Sequence, residues 1–292
     1  MLKILGAAAG GGLPQWNCGC VNCDDARAGR IARMTQSSVA LSVGGQTVVL
    51  NASPDIRAQL DEGGLHPPGL RGSPVRAVVL TNGDVDHIAG LLTLREGTPF
   101  TIHATAETLD ILTQPVFRVL NPDHVAQAPM ALDRPFQPIP GVTVTPFAVP
   151  GKVALYLEDG EPDTALMGEQ TVGLMIDTGG RRVFHIPGCA QVTDDLLDRL
   201  RDADLLLFDG TVWANDDMAR TGTGTKTGAR MGHVPMSGPD GSIARLRGLD
   251  RTRRIFIHIN NTNPVLQPRS PERAEIEAAG WELARDGMEI AL

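Results

Sequence analysis

The run VRAVVL (75–80) leads directly into TNGDVDHIAG (81–90), and this junction constrains the fold more than any other short stretch of the chain. A nearly unbroken apolar run suits a strand covered on both faces rather than one with a wet side. Within the next few residues come an amide, two carboxylates and an imidazole (Asn82, Asp84, Asp86, His87). Strand ends feeding loops are where a fold gathers side chains from distant positions. The same layout recurs where TVVLN (47–51) runs into Asn51–Asp55 and VTVTPFAV (142–149) into Pro150–Lys152. DLLLFDG (204–210) carries Asp209, and RRIFIHI (253–259) carries His258 ahead of Asn260–Asn263.

FTIHA (100–104), TVGLMID (171–177) and RRVFHI (181–186) also read as strands, and MLKILG as a first strand running into a turn rather than a signal peptide. PDIRAQLDE, HIAGLLTL, AETLDILTQ, TDDLLDRLR, GSIARLRGL and SPERAEIEAAG have helical patterns. Ser53-Pro54-Asp55 and Ser270-Pro271-Glu272 supply a cap and an early proline for two of them. With no composition break, these elements predict one α/β (α+β) domain over residues 1–292, two central sheets under helical layers. Residues 214–232, rich in Gly and Thr, read as a mobile loop near a site or as an uncommitted insertion.

Hydrophobic residues at 42% are sufficient for a sizeable core, and a net charge of −8 argues against a nucleic-acid groove. No apolar run approaches the roughly 20 residues that span a bilayer. A cytoplasmic location without membrane or nucleic-acid partners is expected. Three of the four cysteines, Cys18, Cys20 and Cys23, sit in CGCVNC. Thiols that close are a poor disulfide framework but a good thiolate clip (about 17–24) for structural zinc. Asp24, a histidine folded back, or a C-terminal polar residue remains open as the fourth ligand. Cys189 reads as a buried small hydrophobe.

Asp86, His87 and His258 together offer one oxygen and two nitrogens, enough to bind a divalent metal with positions to spare. His66, His103, His124 and His185 have no spacing that asks for a ligand role.

TNGDVDHIAG resembles the metallo-β-lactamase superfamily signature T-H-x-H-x-D-H-x-x-G, with Asn82 and Asp84 in place of the two leading histidines. GGGLPQWNCGCVNC, NASPDIRAQL and HINNTNPVL extend the resemblance over essentially the whole chain, to the branch acting in pyrroloquinoline quinone (PQQ) biosynthesis. Phosphodiesterases of phosphonate metabolism, which also carry a Cys-rich zinc clip, are its neighbours in architecture. The resemblance implies an αββα metallo-β-lactamase sandwich, two mixed sheets flanked by helices. Lys152 stands where the usual P-G-H motif has a ligand, and an ammonium repels a cation, so a two-metal hydrolase is disfavoured. Asp209 matches the bridging aspartate and is either a further ligand or a partner of Lys152.

The remaining donors are similar to the two-histidine, one-carboxylate set of iron(II) oxygenases. Family resemblance then implies Fe(II), with zinc or copper as competitors, and O2-dependent hydroxylation of the tyrosine ring in a Glu–Tyr unit cut from a precursor peptide. It also implies a homodimer and contacts with other PQQ-biosynthesis proteins. His233 matches an acid–base histidine of the phosphodiesterases, or else anchors a loop. Lys152 and Arg57 are candidates for substrate carboxylates, and Asn260 for orienting substrate or His258, or for shaping a turn. A residual phosphodiesterase and a non-catalytic carrier of the finished cofactor are the alternatives.

Overall fold

The computed structural model describes residues 1–292. Its strands are β1 (Leu2–Gly6), β2 (Ser38–Val43), β3 (Gln46–Leu50), β4 (Val75–Val79), β5 (Phe100–Ala104), β6 (Val125–Pro129) and β7 (Phe136–Ile139). They continue with β8 (Val142–Ala148), β9 (Val172–Thr178), β10 (Arg181–Ile186), β11 (Leu205–Asp209), β12 (Arg253–Ile257), β13 (Trp281–Leu283) and β14 (Glu289–Ile290). Two seven-stranded sheets result, in the orders β14-β1-β2-β3-β4-β5-β6 and β13-β12-β11-β10-β9-β8-β7. Both are mixed: β3 to β6 and β10 to β13 run parallel, and the other pairs antiparallel.

The unbroken apolar runs have a direct cause. On β3 and β4, Val48, Leu50, Ala77 and Val79 enter the core between the sheets. Their neighbours Val49, Val78 and Leu80 face the opposite way, into a second core under the helices. Successive side chains alternate faces, so a strand covered on both sides is apolar at every position.

The helices are short: α1 (Val21–Arg27), α2 (Ile56–Glu62), α3 (Val85–Ile88), α4 (Ala106–Ile111), α5 (Asp194–Arg199), α6 (Asp217–Arg220), α7 (Gly228–Met231), α8 (Ser242–Arg245) and α9 (Pro271–Ala278). HIAGLLTL is not one helix but α3 followed by a tighter 3-10 turn, Ala89–Leu92. GSIARLRGL contributes a single turn, α8. Strands β2, β6, β7, β13 and β14 and helix α1 lie outside the sequence expectation. The last two strands have three and two residues and exist through pairing with β12 and β1, which no local pattern reveals. Residues 214–232 hold α6 and α7 rather than featureless loop. The Asp217 carboxylate accepts from the Trp213 and Ala214 amides at 2.6 and 3.1 Å, and Asn215 Oδ1 accepts from the Ala229 amide at 2.8 Å.

At the end of the sandwich where β4, β11 and β12 terminate, the two sheets are stitched together. The Val172 amide donates to Thr81 O at 2.9 Å, and Ile259, just past β12, donates its amide to Ala7 O and accepts the Ala9 amide from the extension of β1, both at 2.9 Å. The polar strand ends therefore meet across one cleft. No helix is long and apolar enough to cross a membrane.

Candidate metal centre

Helix α3 presents Asp86 and His87, and close packing fixes its C-terminal end. The His87 carbonyl accepts the Ala52 amide at 2.7 Å, and the Gly90 amide donates to Ala52 O at 2.9 Å. A Cβ on Gly90 would stand 2.1 Å from Ser53 O, so only glycine permits this approach. Asn51, at φ 60°, then fixes the preceding loop: its amide group donates to Thr81 Oγ1 and its Oδ1 accepts the Thr81 amide, both at 2.9 Å.

His258 follows β12 in the left-handed region, at φ 56°. Thr211 holds it there, with Oγ1 lying 2.8 Å from His258 Nδ1 and sharing its one proton between His258 O at 2.9 Å and Asp209 Oδ1 at 2.7 Å. This leaves Nε2 facing Asp86 Oδ2 at 3.0 Å.

His87 is the informative member. Asn82 Oδ1 accepts the Asp84 amide while Asn82 Nδ2 donates to Asp84 Oδ2 at 2.8 Å, which settles the orientation of the amide. His87 Nδ1, 2.6 Å from that oxygen, must then carry the proton. Nε2 keeps a lone pair, lies 3.9 Å from Asp86 Oδ2, and is buried without any hydrogen-bond partner. A buried imidazole nitrogen without a partner is costly unless something completes it. The donor atoms of Asp86, His87 and His258 lie within 4.8 Å of one another, so a divalent cation fits.

The electrostatics agree. Burial pushes His87 down to about 4, leaving it neutral. Burial alone would raise Asp86, but His87 and His258 outweigh it and hold the carboxyl well below its usual range. Burial also works against a charged His258, and there the Asp86 hydrogen bond prevails and raises it.

Asn82 is thus the group that selects the His87 tautomer. Asp84, pushed up first by burial and then by Asp86, lines the same cleft. Lys152 does not pair with Asp209; its Nζ lies 2.8 Å from Glu158 Oε1. Asp209 is buried in a hydrogen-bonded pocket, and with His233 and His258 it forms a second group whose ligand atoms lie within 4.8 Å of one another, so the reading as a further ligand stands. Oδ2 accepts from the Cys189 amide at 2.9 Å and lies 2.7 Å from His233 Nδ1, and Oδ1 accepts from the Thr211 amide and hydroxyl at 3.0 and 2.7 Å. The ring of His233 stacks on His258, centroids 5.2 Å apart, and borders the cleft.

One expectation needs correction. Arg57, on α2, lines a separate surface groove with Leu60 and His66 rather than the metal cleft, because α2 packs on the outer face of the first sheet. Asn260 borders the cleft and its side chain donates to Thr262 Oγ1 at 2.7 Å, which is the turn-shaping alternative; it does not orient His258, whose partner is Thr211. Sequence reading also passed over Glu158, Lys226 and Arg230, which border the cleft of about 260 Å³. The only available signal for Thr211 was its place two residues after Asp209.

At the cysteine clip the sulfurs of Cys18, Cys20 and Cys23 converge, and all are free thiols. The Asn261 side-chain amide points into their midst, 3.2, 3.7 and 3.3 Å from the three sulfurs. Burial pushes Cys20 up to about 12; Cys18 is held below its usual value because hydrogen bonds from Cys20, Cys23 and Asn261 outweigh its own burial. Three converging thiols suit a tetrahedral zinc. Asn261 meets the sulfurs with its N–H donors rather than a lone pair, and Asp24 pairs its carboxylate with Arg27, so the converged donors are the three sulfurs alone.

Residues 46–259 match the beta-lactamase superfamily domain. Along its whole length the chain is 58% identical to coenzyme PQQ synthesis protein B of Ruegeria pomeroyi, covering 99% of that protein. It is 58% identical to the protein of the same name from a Methylobacterium species, over 99% of both chains. The crystal structure of zinc-bound PqqB from Methylobacterium extorquens superposes with a TM-score of 0.97 at 55% identity, over 100% of this chain and 99% of that one. A diphosphatase of the PhnP family shares the fold, with a TM-score of 0.69 at 21% identity over 99% and 95% of the chains. The chain belongs to the beta-lactamase superfamily and, within it, to the coenzyme PQQ synthesis protein B family.

Proposed function

We propose that this protein serves PQQ synthesis as an iron(II)- and O2-dependent hydroxylase acting on the tyrosine ring of a Glu–Tyr unit. The observation that carries the reading is the unpartnered His87 Nε2, facing Asp86 and His258 in a cleft that also holds the Lys152–Glu158 ion pair. Asp86, His87 and His258 would hold the metal, and iron(II) bound there would supply the O2 chemistry that side chains lack. A site with only three protein donors leaves room for substrate beside the metal. Lys152, paired with Glu158 at 2.8 Å, is a side chain that cannot ligate a second cation while protonated, which weakens the case for two-metal hydrolysis.

The chain's own residues have definite tasks in this reading. Asn82 keeps the His87 lone pair on the metal side, and Thr211 does the same for His258. His233, with Nδ1 turned to Asp209, has Nε2 left for proton exchange with the substrate. The three cysteines would hold a structural zinc, and the Asn261 amide that donates to their sulfurs ties the 258–263 segment to the N-terminal loop.

The test is anaerobic reconstitution with iron(II), exposure to O2 with a Glu–Tyr dipeptide and ascorbate as the two-electron reductant that takes the second oxygen atom to water, and mass spectrometry. Addition of one oxygen atom to the tyrosyl ring is expected in the intact protein and its loss in Asp86→Ala and His87→Ala. Hydroxylation that persists in both variants rules the reading out. Binding of the finished cofactor with no turnover would favour the carrier alternative.

A further inference from the structure

One wall of the metal cleft carries more positive charge than its own carboxylate balances. Lys152, Lys226 and Arg230 border the cleft there, and Glu158 is the acid set among them. Its Oε1 lies 2.8 Å from Lys152 Nζ, and its Oε2 accepts from Arg230 Nη2 at 2.8 Å. The hydrogen bond from Arg230 leads the causes that hold Glu158 down at about 2, so it stays ionised. Glu161 approaches Arg230 Nε only at 3.6 Å and is 86% exposed, a weak competitor in water. Lys226 is exposed and has no ion-pair partner.

The wall is held in register from two sides. Tyr156 Oη donates to Gly83 O at 2.6 Å, pinning the segment that carries Glu158 to the metal-side loop. Thr227 caps α7, its hydroxyl accepting the Arg230 amide at 3.1 Å, which places Lys226 and Arg230 on one short rigid turn. Leu155 and Met231 add apolar surface between this wall and the metal residues. A guanidinium with a free Nη1 next to an unpaired ammonium suits a carboxylate, and the apolar pair suits a ring.

We propose that Lys226 and Arg230 form the subsite that binds a carboxylate of the substrate, with Glu158 as the positioning residue that aims Arg230. This rests on the hydroxylase reading for the identity of the ligand, and it assigns the role that sequence reading gave to Arg57. A carboxylate reaching Lys226 and Arg230 leaves an aromatic ring in the same molecule to lie along Leu155 toward Asp86 and His87.

The experiment is isothermal titration of the metal-loaded protein with Glu–Tyr and with the same dipeptide amidated at both carboxyls. Lys226→Ala and Arg230→Ala are each expected to weaken the acidic dipeptide about two- to fivefold, as for a partly exposed ion pair, and to leave the amidated form unchanged. Lys226→Arg and Arg230→Lys should retain most of the affinity, and high salt should erase the difference between wild type and the alanine variants. Unchanged affinity for the acidic dipeptide in both alanine variants overturns the proposal, as does equal weakening of the amidated form. Lys226 makes no contact that the fold needs, so its variant stays informative if Arg230→Ala unfolds. Titration with the finished quinone cofactor, which also bears carboxylates, separates the two sources of the anion. Preference for the cofactor, with no response to the dipeptide, counts against the proposal. Dipeptide binding that depends on Lys226 without oxygen incorporation would sink the hydroxylase reading and leave this subsite standing.

Discussion

His258 holds a backbone conformation at φ 56° that costs a non-glycine residue on the order of 1 kcal/mol, and it persists because Thr211 binds both its ring and its carbonyl. Thr211 Oγ1 also reaches Asp209, so one hydroxyl couples the buried acid to the ring. Thr211→Val keeps the shape and removes the hydroxyl. Metal affinity at the Asp86 site, read by competition with a chromophoric chelator, should fall about 10- to 100-fold, the usual cost of losing a group that orients a ligand histidine. Unchanged affinity would mean that strand geometry alone aims His258. The candidate ligands were legible at this scale, since Asp, His and Cys announce their chemistry by type. Thr211, Asn82 and Asn261 were not, because hydroxyls and amides at strand ends serve turns and caps just as often.

Among the elements, α3 depends most on a single glycine. Gly90→Ala would drive a Cβ into the Ser53 and Ala52 carbonyls, which are backbone and cannot swing aside. Overpacking of this kind costs about 1–3 kcal/mol, and here the strain falls on the helix that carries Asp86 and His87. Chemical denaturation should show that loss, and metal titration should show weaker binding even where the variant is folded. Full metal affinity in a destabilised Gly90→Ala would separate helix position from ligand geometry. Strands β3, β4, β9, β10, β11 and β12 were readable from apolar runs because both their faces are covered. The edge strands β6, β13 and β14 were not, since pairing with a neighbour rather than side-chain pattern defines them.

The whole molecule has a stability that depends on pH through histidines it buries as neutral rings. His185 on β10 is fully buried, neither ring nitrogen has a partner, and burial depresses it to about 3. The unfolded chain takes up a proton near pH 6.5 and the folded one does not, so the unfolded state binds more protons as pH falls. This contribution is fully present above about 6.5 and is lost progressively toward about 3, on the order of 3 kcal/mol between pH 7 and pH 4. Asp286 and Asp217, raised to about 6 chiefly by burial, act in the opposite direction between their ordinary range and 6. A comparison with His185→Leu isolates the histidine. Denaturation of the metal-free proteins should give a stability difference that shifts in favour of the variant as pH drops from 7 to 4, and a difference independent of pH would contradict it.

Residue types and their order determined, without any coordinates, that this chain builds two sheets covered on both faces, that acids and imidazoles gather at strand ends, and that three thiols form a clip. These are local properties: strand periodicity and ligand chemistry are written in adjacent residues. The tertiary structure decided which distant groups meet. It put Asn261 among the thiols, Glu158 rather than Asp209 against Lys152, Thr211 behind His258, and Arg230 rather than Arg57 beside the cleft. Such pairings depend on which strand ends the stitching of the two sheets brings within a few ångströms, and spacing along the chain carries no measure of that distance.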